Sequence, residues 1–273
     1  GFYKLDGVTV TKTENVTTPF GDPSGPITRA TYNVVDIVFL PRHGSGHGKL
    51  PHEINYRANV FALKKIGVTR VISVSAVGSL RAEIAPGHFV VPTQYIDHIK
   101  GPRDKSFLGG GVVGHVSTAR PVCPDLSTAL VHAARAAGAH VHTDKTYVAV
   151  DGPRFGTAAE SHMMRAWGGD IVGMTAVPEV FLAREAQIAY ASICIATDYD
   201  AWQEDPGLHA DMADILAQYK TSLAIAQKSV LALMEAGVPE PSTMCRAALS
   251  GAIMTPDDQM SDHHQAIFEV LRR

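Results

Sequence analysis

The sequence predicts an α/β protein with a central mixed β-sheet that is covered by helices on both faces. Apolar, β-branched segments alternate along the chain with segments of helical periodicity. Several of the apolar segments hold almost no polar residue, which is typical of strands that are buried on both faces. We expect one domain over residues 1–237 and, from the linker-like sequence VPEPST onward, an extension over 238–273 that packs on the domain or on a neighbouring subunit.

Strands are expected where β-branched and apolar residues run together. In chain order they are Val34–Leu40, Arg70–Val77, His88–Ile96, Thr146–Gly152, Asp170–Thr175 and Tyr190–Ala196. Pro92 lies in the third of them and indicates a bulge or an edge position, because proline has no N–H to donate to a neighbouring strand. Cys194 lies in the last apolar run, where we expect it to be a buried core residue.

Helices are expected where apolar residues recur every three to four positions between capping signals. In chain order they are Ile54–Ile66, an alanine-rich helix capped by Asp125 and ending at Gly138, Ala158–Trp167, Pro178–Ala186, a long helix ending at Gly237, and Pro256–Leu271. The predicted buried stripe of the long helix consists of Leu216, Tyr219, Leu223, Ala226, Val230 and Leu233. The last helix is polar enough to lie on the surface or on a partner chain.

The composition excludes several classes of protein. The chain has 273 residues, of which 45% are hydrophobic and 19% charged, and its formal net charge of −3 gives no electrostatic reason to bind nucleic acid or an anionic membrane. No apolar run reaches the roughly 18 residues of a membrane span, and no secretory signal is visible. The three cysteines are scattered, which argues against a disulfide framework and favours a reducing cytoplasm.

Polar residues follow several of the predicted strands, and ligands of α/β sheets collect beyond strand ends. Arg42 and His43 come after the first strand at a glycine-bearing turn, and an arginine fork suits a phosphate or a carboxylate. Ser75 and Thr175 supply hydroxyl donors at the ends of two other strands. Each residue alone fits an ordinary structural role, such as a surface ion pair. We expect these strand ends to converge on one edge of the sheet, and together the residues favour a binding site for an oxyanion there.

The histidines near this turn do not predict a metal site. His43, His47 and His52 have the spacing H-x3-H-x4-H on a segment that contains glycine and proline. This spacing matches no standard zinc-binding helix, and no carboxylate completes the set as a fourth ligand. We therefore expect no metal.

Two carboxylates, Asp198 and Asp200, follow the last core strand in the sequence IATDYDAW. An ionised carboxylate at the end of a buried strand costs free energy unless it is paired or used. Such a pair accepts hydrogen bonds from an amino group, and the member whose pKa is raised by its neighbour can hold a proton. These properties suit adenine, whose amino group must be bound and whose N7 must be protonated when the base leaves a sugar. The alternatives are a metal-binding DxD motif and a cap of the short turn before Trp202.

Four motifs carry a resemblance to a known family: RHGSGHGKLPHEINYRAN, SAVGSLRAEIAPGHFVVPTQYIDH, DGPRFGTAAES and VGMTAVPEVFLAREAQIAYASICIATDYD. Over residues 1–237 the sequence resembles the methylthioadenosine phosphorylases of the trimeric purine nucleoside phosphorylase superfamily, and the tail resembles them only weakly. The resemblance implies a mixed sheet with a partly closed barrel, a homotrimer or a dimer of trimers, and neither a metal nor an organic cofactor. The implied reaction is phosphorolysis of 5′-methylthioadenosine to adenine and 5-methylthioribose 1-phosphate, with inorganic phosphate as the co-substrate.

The same resemblance implies roles for matching residues. Asp198 and Asp200 match the pair that binds adenine and assists its departure. The positions that match phosphate ligands are Arg42, His43, Ser75 and Thr175, with Ala76 lining the same pocket. The positions that match residues around the base, the ribose and the 5′ substituent are His47, Phe155, Val172, Met174, Met212 and Ile215. His115 matches a residue that closes the neighbouring subunit's pocket, and a place in the helix core fits Ile215 equally well.

Three features depart from the family's pattern. The glycine-rich loop that binds phosphate in the family would precede Gly1, Gly173 stands where some relatives have Asn, and EDPGLHADM holds one residue more than expected. Gly156, where relatives specific for 6-oxopurines have Glu, favours a 6-amino base. The alternatives are a phosphorylase acting on adenosine, inosine or 5′-deoxyadenosine, and a ligand-binding protein that uses the same scaffold without catalysis.

Overall fold

Strands form two separate sheets in the computed structural model, which describes residues 5–203 and 211–273. The strands are β1 (Val8–Glu14), β2 (Ile27–Tyr32), β3 (Val35–Phe39), β4 (Arg70–Ser79), β5 (Phe89–Val90), β6 (Gln94–His98), β7 (Val141–His142), β8 (Thr146–Val150), β9 (Ile171–Gly173) and β10 (Ala189–Tyr199). The helices are α1 (Tyr56–Lys65), α2 (Pro124–Ala136), α3 (Ala158–Ala166), α4 (Glu179–Glu185), α5 (Met212–Ala236), α6 (Thr243–Arg246) and α7 (Asp262–Leu271).

The central sheet is mixed, which confirms the predicted fold class. Its strand order is β6-β8-β9-β4-β10-β5-β7, with β4 and β10 parallel in the middle and with β9 and β5 antiparallel to them. Alternate side chains of β10 enter two different cores. Ile193 and Ile195 pack with residues of α2 and α5, whereas Cys194 and Ala196 join the cluster that includes α1, α4 and α7. Helices therefore cover both faces, as predicted.

The two edges of the central sheet are connected by hydrogen bonds between the segment that links β5 to β6 and the chain from the end of β7 to β8. β5 pairs with β7 and β6 pairs with β8, both in parallel. Between these pairs, the N–H of Val91 donates to His142 O at 3.0 Å and the N–H of Thr93 donates to Lys145 O at 3.0 Å. The two edge pairs are thus halves of one interrupted ladder, and the sheet closes on itself. The predicted strand His88–Ile96 is wrong as a single strand, because it divides into β5 and β6 around Pro92, which has no N–H to continue the ladder.

A small antiparallel sheet of β1, β2 and β3 stands apart from the central one. Only β3 is predicted from the sequence. Most side chains of β1 are exposed, and its sequence VTVTKTE lacks the continuous apolar run that identifies a buried strand. The sheet positions the residues that directly follow β3, among them Arg42.

All six predicted helices occur in the predicted order, and the described residues contain in addition the short helix α6, which the sequence does not predict; several termini also differ. Asp125 is not the cap of α2: Cys123 takes that position and Asp125 lies in the first turn. Pro178 precedes α4 as its cap instead of opening it. The predicted helix Pro256–Leu271 begins only at Asp262, because the Ser261 side chain accepts the N–H of His264 and caps α7 there.

The buried face of α5 differs from the predicted stripe at its first turn. Leu216 is 48% exposed, whereas Ile215 is 9% exposed. Ala226 and Leu233 are buried as predicted, and Ser222 and Ser229 join them. Small side chains on this face allow α5 to pack closely against α2, so a search for large apolar residues finds most of the stripe but misses the serines.

The C-terminal helix α7 packs against α1 within the chain's own core. Phe268 and Leu271 are fully buried, and Gln187 Nε2 donates to the carbonyl oxygen of Leu271 at 3.2 Å. The sequence predicts a helix on the surface or on a partner chain, but the apolar side of α7 is buried in the core of its own chain. Across residues 5–203 and 211–273, no helix is both long and apolar enough to cross a membrane.

Candidate active site

The parallel pair of β4 and β10 supplies the centre of the candidate site. Its register is regular up to Val77 and Ala196 and then shifts at a bulge around Thr197, which places Asp198 beside Gly78. A bulge re-aims the side chains that follow it. The aspartates are therefore presented next to a glycine, where a larger side chain would crowd them.

The strand ends do not all meet at one edge, in contrast to the prediction. β9 runs antiparallel to β4 and pairs with it only at Gly78 and Ser79. Residues after β9 therefore run back along β4, and before Gly78 this edge of β4 has no strand partner within the described ranges. Ala76 lies on the open stretch and is exposed. The site is thus a gap beside β4 and not the rim of a parallel sheet.

Arg42 follows β3 and is held by Glu179 of α4. Its Nε donates to Glu179 Oε2 at 2.7 Å, and its Nη2 donates to Oε1 at 2.9 Å and to Ser73 Oγ. Tyr190 also donates to Glu179 Oε1 at 2.8 Å. Burial alone lowers the pKa of Arg42, but the Glu179 carboxylate raises it above its usual range, and the guanidinium stays charged. Nη1 donates no hydrogen bond to the residues that the structure describes, which leaves it available to an oxyanion.

His43 and His47 stack on each other in the turn after Arg42. Their ring centroids are 4.2 Å apart and their planes differ by 21°. Nδ1 of His43 lies 2.9 Å from the carbonyl oxygen of Lys49, a contact in which Nδ1 carries the proton. Burial lowers the pKa of His43. The neutral ring therefore presents an unprotonated Nε2, which accepts a hydrogen bond from a protonated phosphate oxygen.

Ser75 and Thr175 are placed by β4 and by the segment after β9. Ser75 lies on the same face of β4 as Ser73, the residue that accepts a hydrogen bond from the guanidinium. Its Oγ is 3.8 Å from Sγ of Cys194, a weak contact that leaves the hydroxyl able to donate elsewhere. Thr175 is buried, and its N–H donates to the Tyr147 hydroxyl at 3.5 Å. Burial raises the pKa of the Cys194 thiol to about 12, so this residue is the buried core group that the sequence predicts.

Asp198 and Asp200 border the space in front of Gly78 together with Val172. A Cβ built on Gly78 would lie 3.2 Å from Cγ1 of Val172. The same atom would lie 3.4 Å from Cβ of Asp200 and 3.5 Å from Oδ2 of Asp198. A Cβ on Gly156 would lie 3.9 Å from Oδ2 of Asp200. These residues pack closely around Gly78; we name them the Gly78 pocket for the base-binding role predicted of the aspartates, and they offer one apolar wall, two carboxylates and two glycines.

The surroundings of Asp198 favour its protonated form. Burial has the largest effect on the pKa of Asp198 and, with the charge of Asp200, raises it to about 6. The hydroxyl of Thr197 donates to Asp198 Oδ1 at 2.7 Å and opposes this rise. A carboxyl group with such a pKa keeps its proton in part of the molecules near neutral pH, which is how general acids are tuned.

The loops after β8 and β9 bring two further predicted residues to this region. Phe155 is 51% exposed and directly precedes Gly156 of the Gly78 pocket. Met174 packs closely on Gly152: a Cβ added at Gly152 would collide with Sδ of Met174. Arg103 donates to the carbonyl oxygen of Met174 at 2.7 Å and to that of Asp151 at 2.9 Å, which ties the two loops together.

Three predicted substrate residues are not joined to the Gly78 pocket by a hydrogen bond or ring contact of the described residues. Met212 begins α5 and is 52% exposed, whereas Ile215 lies on the buried face of that helix. His115 is exposed, and its N–H donates to the carbonyl oxygen of Ala252 at 2.8 Å. Their roles in substrate binding stay predictions.

Two residues of the site escape sequence reasoning. Glu179, which orients Arg42, is buried, and its place among apolar residues in the sequence AVPEVFLA is a signal that marks it as unusual without naming its partner. Thr197 donates to Asp198 and lies at the bulge, but an ordinary strand threonine has the same local sequence.

Of the three departures from the family pattern, the structure describes the surroundings of Gly173 only. A side chain at Gly173 would collide with the hydroxyl of Tyr147, so this hydroxyl fills the place that a larger residue would take. Gly1 precedes the first described residue, and the segment 204–210 within EDPGLHADM also lies outside the described residues.

Comparison with known proteins assigns the fold to one class. The family model of the phosphorylase superfamily matches residues 7–233. A solved methylthioadenosine phosphorylase from an Antarctic soil metagenomic library has a TM-score of 0.91 and 39% identity, and the match covers 99% of this chain and 95% of that one. Methylthioadenosine phosphorylase from Schistosoma mansoni, solved in complex with adenine, has a TM-score of 0.87 and 35% identity, with coverage of 93% and 96%.

Curated sequences define the family more closely. The S-methyl-5′-thioadenosine phosphorylase of Geobacter sulfurreducens is 47% identical over 257 residues, which cover 93% of this chain and 89% of the relative. The chain therefore belongs to the S-methyl-5′-thioadenosine phosphorylase family of the phosphorylase superfamily.

Proposed function

We propose that the chain catalyses the phosphorolysis of 5′-methylthioadenosine, in which inorganic phosphate displaces adenine and yields 5-methylthioribose 1-phosphate. The observation that carries the proposal is the Gly78 pocket, where Asp198, Asp200 and Val172 meet. Relatives whose names state this activity support it at 47% and 45% identity.

In this proposal the aspartates bind and release the base. Asp198 donates its proton to N7 of adenine, a role that suits a carboxyl group whose burial raises its pKa to about 6. Asp200 accepts a hydrogen bond from the 6-amino group. Val172 and Phe155 supply apolar contact to the ring. A 6-oxo group would face a carboxylate and be repelled, so adenine nucleosides are favoured over inosine.

Phosphate binds on the other side of the ribose. Arg42 Nη1 and the hydroxyls of Ser75 and Thr175 donate to its oxygens, and the open backbone of Ala76 offers a further contact. His43 accepts from a protonated oxygen. Along β4, Ser75 and Gly78 are three residues apart, a rise of about 10 Å. This separation leaves room for a ribose between an oxyanion and a base.

The reaction then follows from this placement. As the C1′–N9 bond breaks, the ribosyl group becomes cationic, and the nearby phosphate stabilises that charge and attacks C1′. Electrons of the broken bond pass into the base, where the proton from Asp198 at N7 neutralises them. His47 and Met174 would line the ribose, and Met212 and Ile215 would meet the methylthio group.

We propose in addition that the chain acts as a homotrimer or a dimer of trimers, with His115 of one copy closing the 5′ pocket of the next. The exposure of His115 on the loop before α2 supports this role. Light scattering on the purified protein tests the mass. A monomer that keeps full activity would contradict the shared pocket.

The function is tested by following base release from 5′-methylthioadenosine, adenosine and inosine. Release should require phosphate, proceed with arsenate in its place, and be fastest with 5′-methylthioadenosine. Hydrolysis without either anion would contradict phosphorolysis. Asp198→Asn combined with Asp200→Asn should lower turnover at least a hundredfold, whereas the exposed control Asp258→Asn should not change it.

A further inference from the structure

Three histidines outside the proposed active site meet at the β5–β7 pair of the central sheet. Phe89 pairs with Val141, so His88 and His140 are neighbours across the two strands. The N–H of Phe89 donates to the carbonyl oxygen of His140 at 2.8 Å and fixes this register. His142 follows His140 by two residues and lies on the same face. The grouping is thus set by the backbone of the sheet and not by flexible side chains.

The ring nitrogens are close to the arrangement that a single metal ion requires. One nitrogen of each ring lies within 4.8 Å of the other two. Nδ1 of His88 and Nε2 of His142 are 3.0 Å apart. Two nitrogens on a tetrahedral zinc ion, each bonded at about 2.0–2.1 Å, are roughly 3.3 Å apart. His140 stacks on His88 with centroids 4.0 Å apart and is exposed, so its ring is able to turn toward the same point.

The neighbouring groups are compatible with an ion at this place. Nδ1 of His88 also accepts the N–H of Ala85 at 3.2 Å, a contact that a metal bond at this atom would replace. Glu83 and Lys145 lie beside the histidines and pair with each other at 3.5 Å. Imidazole ligands suit zinc, copper and nickel, whereas magnesium and calcium prefer oxygen.

We propose that His88, His140 and His142 bind a divalent transition-metal ion, with zinc as the occupant and water in the fourth position. The three ligands are 52 and two residues apart along the chain, which is why no sequence motif reveals them. The site is separate from His43, His47 and His52, and it holds whether or not the proposed reaction is correct.

The same backbone leads from the histidines to the proposed active site. The carbonyl oxygen of His88 accepts the N–H of Ala196 at 2.9 Å, and the N–H of Gly87 donates to Ala196 O at 2.8 Å. Ala196 is two residues before Asp198. An ion that ties His88 to β7 therefore braces the strand end that carries the acid, and we expect zinc to stabilise the folded protein.

Calorimetric titration of the full-length, chelator-treated protein with zinc chloride in phosphate-free buffer tests the proposal. One high-affinity zinc per chain is expected. His140→Ala, which removes an exposed ring, should weaken that affinity at least tenfold, and His142→Ala should do the same. His132→Ala, an exposed histidine of α2, serves as the matched control and should bind zinc like the unchanged chain.

Thermal unfolding gives a second readout. At a hundredfold excess of zinc over the Kd of the unchanged chain, Tm should rise by about 5 °C in the unchanged chain and in His132→Ala, but by at most about half of that in His140→Ala. Magnesium at the same concentration should leave Tm unchanged. Equal zinc affinity in all variants, or no zinc binding by the unchanged chain, would overturn the proposal.

Discussion

Replacing Asp198 by asparagine should remove most of the turnover and at the same time stabilise the fold. Burial raises the pKa of Asp198 to about 6 from an ordinary value of 3.8, so the folded protein holds this carboxylate in an unfavourable ionised state above pH 6. Each pKa unit corresponds to about 1.4 kcal/mol, and the penalty is therefore roughly 3 kcal/mol at most. Asparagine keeps an oxygen for the Thr197 hydroxyl but carries no charge.

The pH dependence of this stabilisation follows from the two pKa values. Below about pH 4, Asp198 is protonated in both the folded and the unfolded chain, and the ionisation penalty is absent. The penalty grows as pH rises from about 4 to 6 and is constant above that. In urea unfolding, the advantage of Asp198→Asn should be about 3 kcal/mol at pH 8 and about half of that at pH 5, whereas Asp258→Asn should give no advantage.

The same group should control the rate. Half of the Asp198 side chains are protonated at pH 6 and about 1% at pH 8, so kcat/KM for 5′-methylthioadenosine should fall about fiftyfold between these values. The assay uses saturating phosphate, because phosphate also titrates near neutrality. Asp198→Asn should be slower by a factor of about 10²–10⁴ and should lose this dependence on pH.

One result would refute this reasoning at its base. If Asp198→Asn unfolds at a lower urea concentration than the unchanged chain at pH 8, or if the difference in unfolding free energy is the same at pH 5, ionised Asp198 is not held at a cost. A pH profile of kcat/KM that survives in the variant would likewise assign the acid to another group.

Three further substitutions test other parts of the site. Glu179→Ala should lower the unfolding free energy, measured by urea unfolding, by about 3–5 kcal/mol, because the buried guanidinium of Arg42 loses its partner. The same variant should raise KM for phosphate, measured from initial rates. Gly78→Ala should lower kcat/KM for 5′-methylthioadenosine while circular dichroism stays unchanged, since the new methyl group would lie 3.2 Å from Val172 and displace the adjacent aspartates. Gly173→Ala should lower Tm through collision with the Tyr147 hydroxyl, and adding Tyr147→Phe should restore part of the loss.

The central strands can be predicted because burial of a strand determines the composition of its own sequence. β10 appears in the sequence as an apolar run because it is buried along most of its length, and β4 carries a similar β-branched run interrupted by serines. Arg42 and the aspartates stand out because charge next to such runs needs an explanation. β1 carries no such signal, since a strand with most of its side chains in water needs only alternating, β-tolerant residues.

The direction of β9 and the closure of the central sheet depend on contacts between distant parts of the chain, so the local sequence does not predict them. The apolar run of β9 looks the same whether the strand is parallel or antiparallel to β4, and only the structure shows it to be antiparallel. The division of His88–Ile96 around Pro92 was indicated by the proline, but the closed ladder requires pairing with a segment about 50 residues away. For the same reason, the link between Glu179 and Arg42 spans 137 positions and leaves no trace in either local sequence.

The bulge at Thr197 decides what the aspartates face. In a regular parallel ladder, Thr197 would lie beside Gly78 and Asp198 beside Ser79, and a shift of one residue moves a side chain to the opposite face of the sheet. The extra residue resets the register, so that Asp198 lies beside Gly78, with its Oδ2 3.5 Å from where a Cβ of Gly78 would be. Without the bulge, Asp198 would lie beside Ser79 and would not face Gly78. The pocket therefore depends on one irregularity of the backbone, and the residue at which it occurs also donates the hydrogen bond that orients the acid.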